Sequence, residues 1–382
     1  MADTSPADGI DLPLLHRLLD VDEDDGPRVL VRQSRMVSSA LVPLVMSVAG
    51  RAGVPLGSGS RDELARARGR VDEYRRIAAD CRRFFGARMV KGPSLARLYP
   101  RGLVRSMSDL DLVAPDEGAL WDATAYLADR YELEEMDVAV FGDPIRHLVV
   151  APYWAAADPL LDRPLHVDLS TFAFCGDLES VPLRTTLPLH QTVADLLSLA
   201  EERFQRPFNA KDVLDTALLL HDPRLTAAGL CEAAAEYLLA PELQELIDFG
   251  KENSGLFGSM ADDLIASLGR PADDERARRA ACVGPRAQGV AARLAHGGLP
   301  VHGMRLRWAH PRRAWRSARL RPGPQGSTLL LTPVADYLLV ADSLVQEDLY
   351  EAAHAEAERL AAEEASTEPS PSVVPAAGRP AS

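Results

Sequence analysis

Apolar residues recur along the chain with two different spacings, and the change from one to the other predicts where helices give way to strands. Over residues 61–85, Leu64, Val71, Tyr74, Ile77, Ala78, Cys81, Phe84 and Phe85 fall near one face of a helical period, which predicts a long amphipathic helix. Upstream, residues 29–49 also suit a helix, with Pro43 as a kink or boundary, and residues 54–60 (VPLGSGS) read as a connecting loop. Downstream the period shortens. A short strand at 88–90 leads to a helix opened by Gly92-Pro93 and running to about Tyr99. Then come a strand at 106–113, a helix at 118–130, and strands near 133–141, 146–151 and 165–170.

From residue 192 the helical spacing returns in two segments reaching residue 221, with further helices at 227–239, 241–249 and 260–268. Residues 297–327 are basic and rich in turn formers, and 329–350 suit either a strand or a helix. This order predicts an α+β protein with a mixed sheet and flanking helices. The expected units are an N-terminal helical region (1–86), a mixed-sheet domain (87–186), a helical domain (187–285), a region of uncertain type (286–360) and a disordered tail (361–382).

Composition narrows the class of function. The chain has 382 residues, 47% hydrophobic and 26% charged, enough for more than one domain and a sizeable core. A net charge of -14 argues against broad nucleic-acid binding, which needs a basic surface. Cys81, Cys175, Cys231 and Cys282 have no paired spacing and read as reduced thiols. The N-terminus lacks the order of a signal peptide, and the longest apolar run is too broken to span a bilayer, so the expected location is cytoplasmic with no membrane partner.

The chemistry concentrates in residues 89–115. Asp109 and Asp111 alternate with Leu110 and Leu112, so in a strand both carboxylates project from one face. Two adjacent carboxylates repel each other and call for a cation, most simply a divalent metal with oxygen ligands. Asp168 in LHVDLST supplies a third acid on another strand, and three such acids can hold two magnesium ions. Lys91, Gly92 and Ser94 form a candidate phosphate element ahead of a helix, and Arg105 is placed to contact phosphate oxygens. His166 shares the face of Asp168 and reads as a partly buried structural histidine, the alternative being a metal-proximal or acceptor-orienting group. Lys211 and Asp212 fit either a nucleotide contact or helix-start charge. The basic run at 305–321 reads as a surface feature.

The segment KGPSLARLYP, followed by Arg105 and SDLDLV, resembles the uncharacterised nucleotidyltransferase family of the DNA polymerase β-like superfamily, and HVDLS resembles that superfamily's third-acid strand. LPLHQTVADLLSLAEERF and KDVLDTALLL resemble the helical segment that follows the catalytic domain. The resemblance spans residues 88–220 and departs from the superfamily where Pro93 splits its Gly-Ser pair. It implies a polymerase β-like catalytic domain with Asp109, Asp111 and Asp168 as metal ligands and catalytic acids, and Gly92 with Ser94 as the phosphate turn. The implied reaction uses magnesium, with manganese able to substitute, and moves a nucleoside monophosphate from a triphosphate, ATP first, to a small-molecule or protein acceptor. The alternative is a catalytically silent nucleotide-binding or antitoxin-like regulator on the same fold.

Overall fold

A computed structural model describes residues 9–142, 146–282, 289–296, 299–341 and 344–367. Four helices come first: α1 (Leu12–Leu18), α2 (Pro27–Val37), α3 (Leu41–Arg51) and α4 (Ser58–Phe85). The predicted 29–49 helix breaks at residues 38–40, ahead of Pro43. That proline lies in the first turn of α3, where its missing N–H leaves no bond unmade. Helix α4 opens inside the predicted 54–60 loop and stops at Gly86, whose φ of 72° suits the left-handed end of a helix.

Then follow β1 (Arg88–Val90), α5 (Pro93–Ala96), β2 (Leu110–Val113), α6 (Glu117–Arg130), β3 (Leu133–Phe141), β4 (His147–Trp154) and β5 (Leu165–Ser170). Helix α5 ends three residues earlier than its sequence suggests, and β2 is only the second half of the predicted 106–113 strand. The helical layer comprises α7 (Gln191–Glu201), α8 (Ala210–Leu219), α9 (Ala227–Glu236), α10 (Ala240–Asn253) and α11 (Ser259–Ala280). Helix α11 continues through Pro271, well beyond the predicted 260–268. The last part holds α12 (Val290–His296), β6 (Pro300–Trp308), β7 (Arg319–Pro322), β8 (Thr328–Leu331), β9 (Ala335–Val340) and α13 (Glu347–Thr367).

Among the described residues the strands form one sheet in the order β1-β2-β5-β4-β3-β6-β9-β8-β7. Its neighbours pair antiparallel except β2 with β5, which run parallel. The architecture is therefore α+β, as expected. The stretch at 286–360, expected as a separate region, instead extends the same sheet, because β6 pairs with β3. The tail expected over 361–382 is helical as far as Thr367 in α13, and residues 368–382 lie outside the described residues.

One face of the sheet buries Leu110, Leu112, Val138, Val150, Val167 and Tyr337 against α4 and α6. Helices α7, α9, α10 and α11 share a second core, and α1 and α3 pack on Leu214 and Leu218 of α8 in a third. The basic run at 305–321 is part surface, with Arg316, Arg319 and Arg321 exposed, and part internal. Arg307 and Arg313 both pair with the buried Asp336 (3.0 and 2.6 Å), and Arg312 pairs with Asp129 of α6 (2.7 Å). No helix among the described residues is long and apolar enough to cross a membrane.

Candidate active site

The parallel register of β2 and β5 sets Asp111 opposite Asp168. Strand alternation sends Leu110, Leu112, Val167 and Leu169 into the core, each fully buried, and leaves Asp111, His166 and Asp168 on the opposite, half-exposed face. Asp109 stands just ahead of β2 on the same side. One ligand atom from each of Asp109, His166 and Asp168 lies within 4.8 Å of the other two. His166 Nε2 is 3.9 Å from Asp168 Oδ2, and its ring stacks on Tyr153 with centroids 4.7 Å apart. The histidine that the sequence favoured as structural thus joins the acids.

Asp111 sits slightly apart, with its Oδ2 4.0 Å from Lys91 Nζ. Burial pushes its carboxyl up to about 8; Lys91 opposes the shift, and Asp109 and Asp168 add to it. Burial also raises Asp168, to about 6, against the pull of His166 and with the help of Asp109 and Asp137. A bound divalent cation would stabilise the charged form of these crowded acids. The donor set of carboxylate oxygens with one imidazole suits magnesium or manganese, the imidazole favouring manganese. A divalent cation must displace protons here, so its affinity is expected to rise with pH between about 6 and 8. Calorimetry of magnesium or manganese binding in buffers of different ionisation heat should show proton release, and pH-independent binding would contradict this picture.

The turn carrying Lys91 and Gly92 is tightly specified. Gly92 has φ 52° and ψ -116°, the geometry of the first central residue of a II′ turn, and Ser94 N–H closes it onto Lys91 C=O at 3.1 Å. Pro93 takes the second central position, where no N–H is required. Lys91 itself has φ 56°. Its N–H donates to Asp195 Oδ1 of α7 at 2.8 Å, and Gln191 Nε2 donates both to Met89 C=O and to the same Asp195 oxygen at 2.9 Å. Helix α7 therefore clamps the turn.

Two residues expected at phosphate have partners within the protein, although Arg105 also lines the cavity that holds the acids. Ser94 Oγ donates to Lys91 C=O at 2.7 Å and is 1% exposed, so it braces the turn from beneath. Arg105 makes a bidentate pair with the buried Asp215, Nε to Oδ1 at 3.1 Å and Nη2 to Oδ2 at 2.6 Å, and Tyr99 OH donates to the same carboxylate at 2.8 Å.

The acids line one side of a cavity of about 420 Å³. Lys91, Arg206 and Lys211 line it as well, and Glu202, Gln205 and Asn209 complete the wall supplied by the connection between α7 and α8. Lys91 Nζ also pairs with Glu202, which together with Asp111 holds its ammonium above the usual range despite burial. Arg206 pairs with Asp212 (2.7 Å) and Glu202 (3.3 Å). Asp212 accepts from Asn209 N–H in a capping box, so its role is structural, whereas burial and the neighbouring Arg105 lower the pKa of Lys211. The polar break EERFQRPFN between two apolar helices is the sequence signal for this wall, and the apolar pattern alone passes over it.

No family model and no curated protein matches the chain. Among solved structures it is similar to the crystal structure of JHP933 from Helicobacter pylori, at 12% identity and a TM-score of 0.31 over 59% of this chain and 96% of that one.

Proposed function

We propose that the chain is a metal-dependent nucleotidyltransferase with a polymerase β-like catalytic unit. It would move a nucleoside monophosphate, AMP first, from a triphosphate to a hydroxyl, acid or phosphate of a small-molecule or protein acceptor. The observation that carries this reading is the meeting of Asp111 on β2, Asp109 just ahead of it and Asp168 on the adjoining β5, in one cavity with Lys91, Arg206 and Lys211. A cavity of that size suits a nucleotide.

In this reading Asp109, Asp111 and Asp168, with His166 beside them, hold the metal. Magnesium bound there would neutralise triphosphate charge and activate the attacking oxygen. Lys91, Arg206 and Lys211 bind the phosphate oxygens. Asp168 accepts the acceptor's hydroxyl proton at its carboxylate. The acceptor oxygen bonds to the α-phosphorus, the bond from that phosphorus to the bridging oxygen breaks, and pyrophosphate leaves with the electron pair.

A second reading, a catalytically silent nucleotide-binding or antitoxin-like regulator, draws on the pairing of Lys91 with Glu202 and of Arg105 with Asp215. A screen of the four ribonucleoside triphosphates with magnesium or manganese separates the two. Products heavier by one nucleoside monophosphate, with pyrophosphate release, are expected. Tight nucleotide binding with no metal requirement and no turnover would favour the regulator.

A further inference from the structure

On the other side of the 106–108 segment lies a second cavity, of about 190 Å³, whose walls come from α2, α4 and the loop before β5. It shares Ala40, Met107 and Ser108 with the first cavity, so the two chambers meet immediately beside Asp109. Four arginines converge on it, Arg35, Arg66, Arg70 and Arg163, against the two acids Glu63 and Asp162, in a chain whose net charge is -14.

The pairing within the chamber is incomplete. Arg35 binds both oxygens of Glu63 (3.0 and 3.2 Å), and Arg66 Nε binds Asp162 Oδ2 (2.8 Å). Arg70 donates to the backbone carbonyls of Arg163 and Pro164 and also reaches the Tyr74 hydroxyl. Among the described residues neither Arg70 nor Arg163 has a carboxylate partner, which leaves a positive excess in a partly enclosed site. Tyr74 links this chamber to the acids. Its hydroxyl donates to Ser108 C=O at 2.9 Å and accepts from His166 N–H at 3.2 Å, and Arg70 lies close enough to act on it electrostatically.

We propose that this chamber binds an oxyanion of the acceptor, a phosphate monoester or a carboxylate, and so makes the enzyme selective for anionic acceptors. The proposal rests on the nucleotidyl-transfer reading for its role, though not for the binding itself. Guanidinium forks match planar or tetrahedral oxyanions. The chamber is too small for a whole drug-sized ligand and suits a head group, whose remainder would extend past Ser108 toward Asp109 and Asp168. Glu63, Asp162 and Asp62, which lies 3.9 Å from Arg66, weaken such binding without cancelling it, since four cations face three anions. The triphosphate and the acceptor would then approach the acids from two separate basic chambers.

The test titrates inorganic phosphate, and acetate in parallel, into the full-length, metal-free protein, read by calorimetry. Arg66→Gln with Arg70→Gln should weaken oxyanion binding on the order of 10- to 100-fold, as expected for losing charged hydrogen bonds. Arg321→Gln, exposed on β7 and outside both cavities, should leave it unchanged. Arg35→Gln, at the exposed rim, should weaken it several-fold with an unaltered melting curve, which covers the case in which the double variant fails to fold. Whichever anion binds at the arginines identifies the head group. No binding by the wild type, or binding lost only in Lys211→Gln, in the other cavity, would overturn the proposal. In turnover, ribose 5-phosphate should outperform ribose as an acceptor. If only uncharged acceptors react, the chamber assignment fails while nucleotidyl transfer stands; if nothing reacts yet phosphate still binds at the arginines, transfer fails and the oxyanion site stands.

Discussion

Replacing Asp109 and Asp111 together with alanine is expected, on the nucleotidyltransferase reading, to lower metal-dependent pyrophosphate release by on the order of 10³-fold or more, because a bound metal would lose the ligands that place it beside the triphosphate. Turnover equal to wild type would remove the nucleotidyltransferase reading. The same region predicts an opposite effect on stability. In the metal-free protein the folded chain keeps a proton on Asp111 where the unfolded chain has already lost it. A raised carboxylate therefore costs stability progressively as pH climbs from about 4, the unfolded value, to about 8. Asp111→Asn relieves that cost. The carboxylate is 37% exposed, and solvent screens much of the shift, so the expected gain at pH 8 is only about 1–2 kcal/mol. Urea titrations at pH 5 and pH 8 should show the variant's advantage growing with pH, and an advantage confined to pH 5 would be the wrong sign.

Arg105→Ala is the second large effect, and it falls on folding before it falls on catalysis. The guanidinium is 3% exposed and its partner Asp215 0%. Removing it strands a buried carboxylate that also accepts from Tyr99, a loss of about 3–5 kcal/mol. The paired change Arg105→Met with Asp215→Leu removes both charges, and its stability should lie much closer to wild type. Equilibrium denaturation of the three proteins decides the point. If Arg105→Ala were as stable as wild type and lost only nucleotide affinity, the guanidinium would be a phosphate ligand after all.

That contrast marks what the sequence could and could not convey. Period-two alternation carried the bounds of β3 and β5, and with them the face on which Asp168 stands. It also placed Asp109 and Asp111 on one side of a strand, because strand geometry is local. Partners distant in sequence were hidden. Arg105 looked available for phosphate because its acid lies on α8, and Ser94 looked exposed because nothing local shows that its turn folds over it. His166 joined the acids only through the pairing of β5 with β2 and β4. The internal part of the basic run at 305–321 read as surface because Asp336, its buried counter-charge, follows it in an apolar strand. The helix expected over 260–268 runs on through Pro271, because the tertiary packing of Leu264, Leu268 and Ala272 keeps α11 continuous across it.

The pairing of β3 with β6 also governs how the chain reaches its fold. Phe141 lies opposite Pro300, and the whole helical layer is made between them. The helices can form on local contacts as the chain emerges, whereas this strand pair must wait for the late C-terminal segment and close a very long loop. Until then β3 presents an unpaired edge carrying Val138 and Val140, the kind of surface that recruits other strands. Completion of the sheet therefore waits for residues 300–308 to be made, and β6 acts as the cover that keeps nascent chains from joining one another.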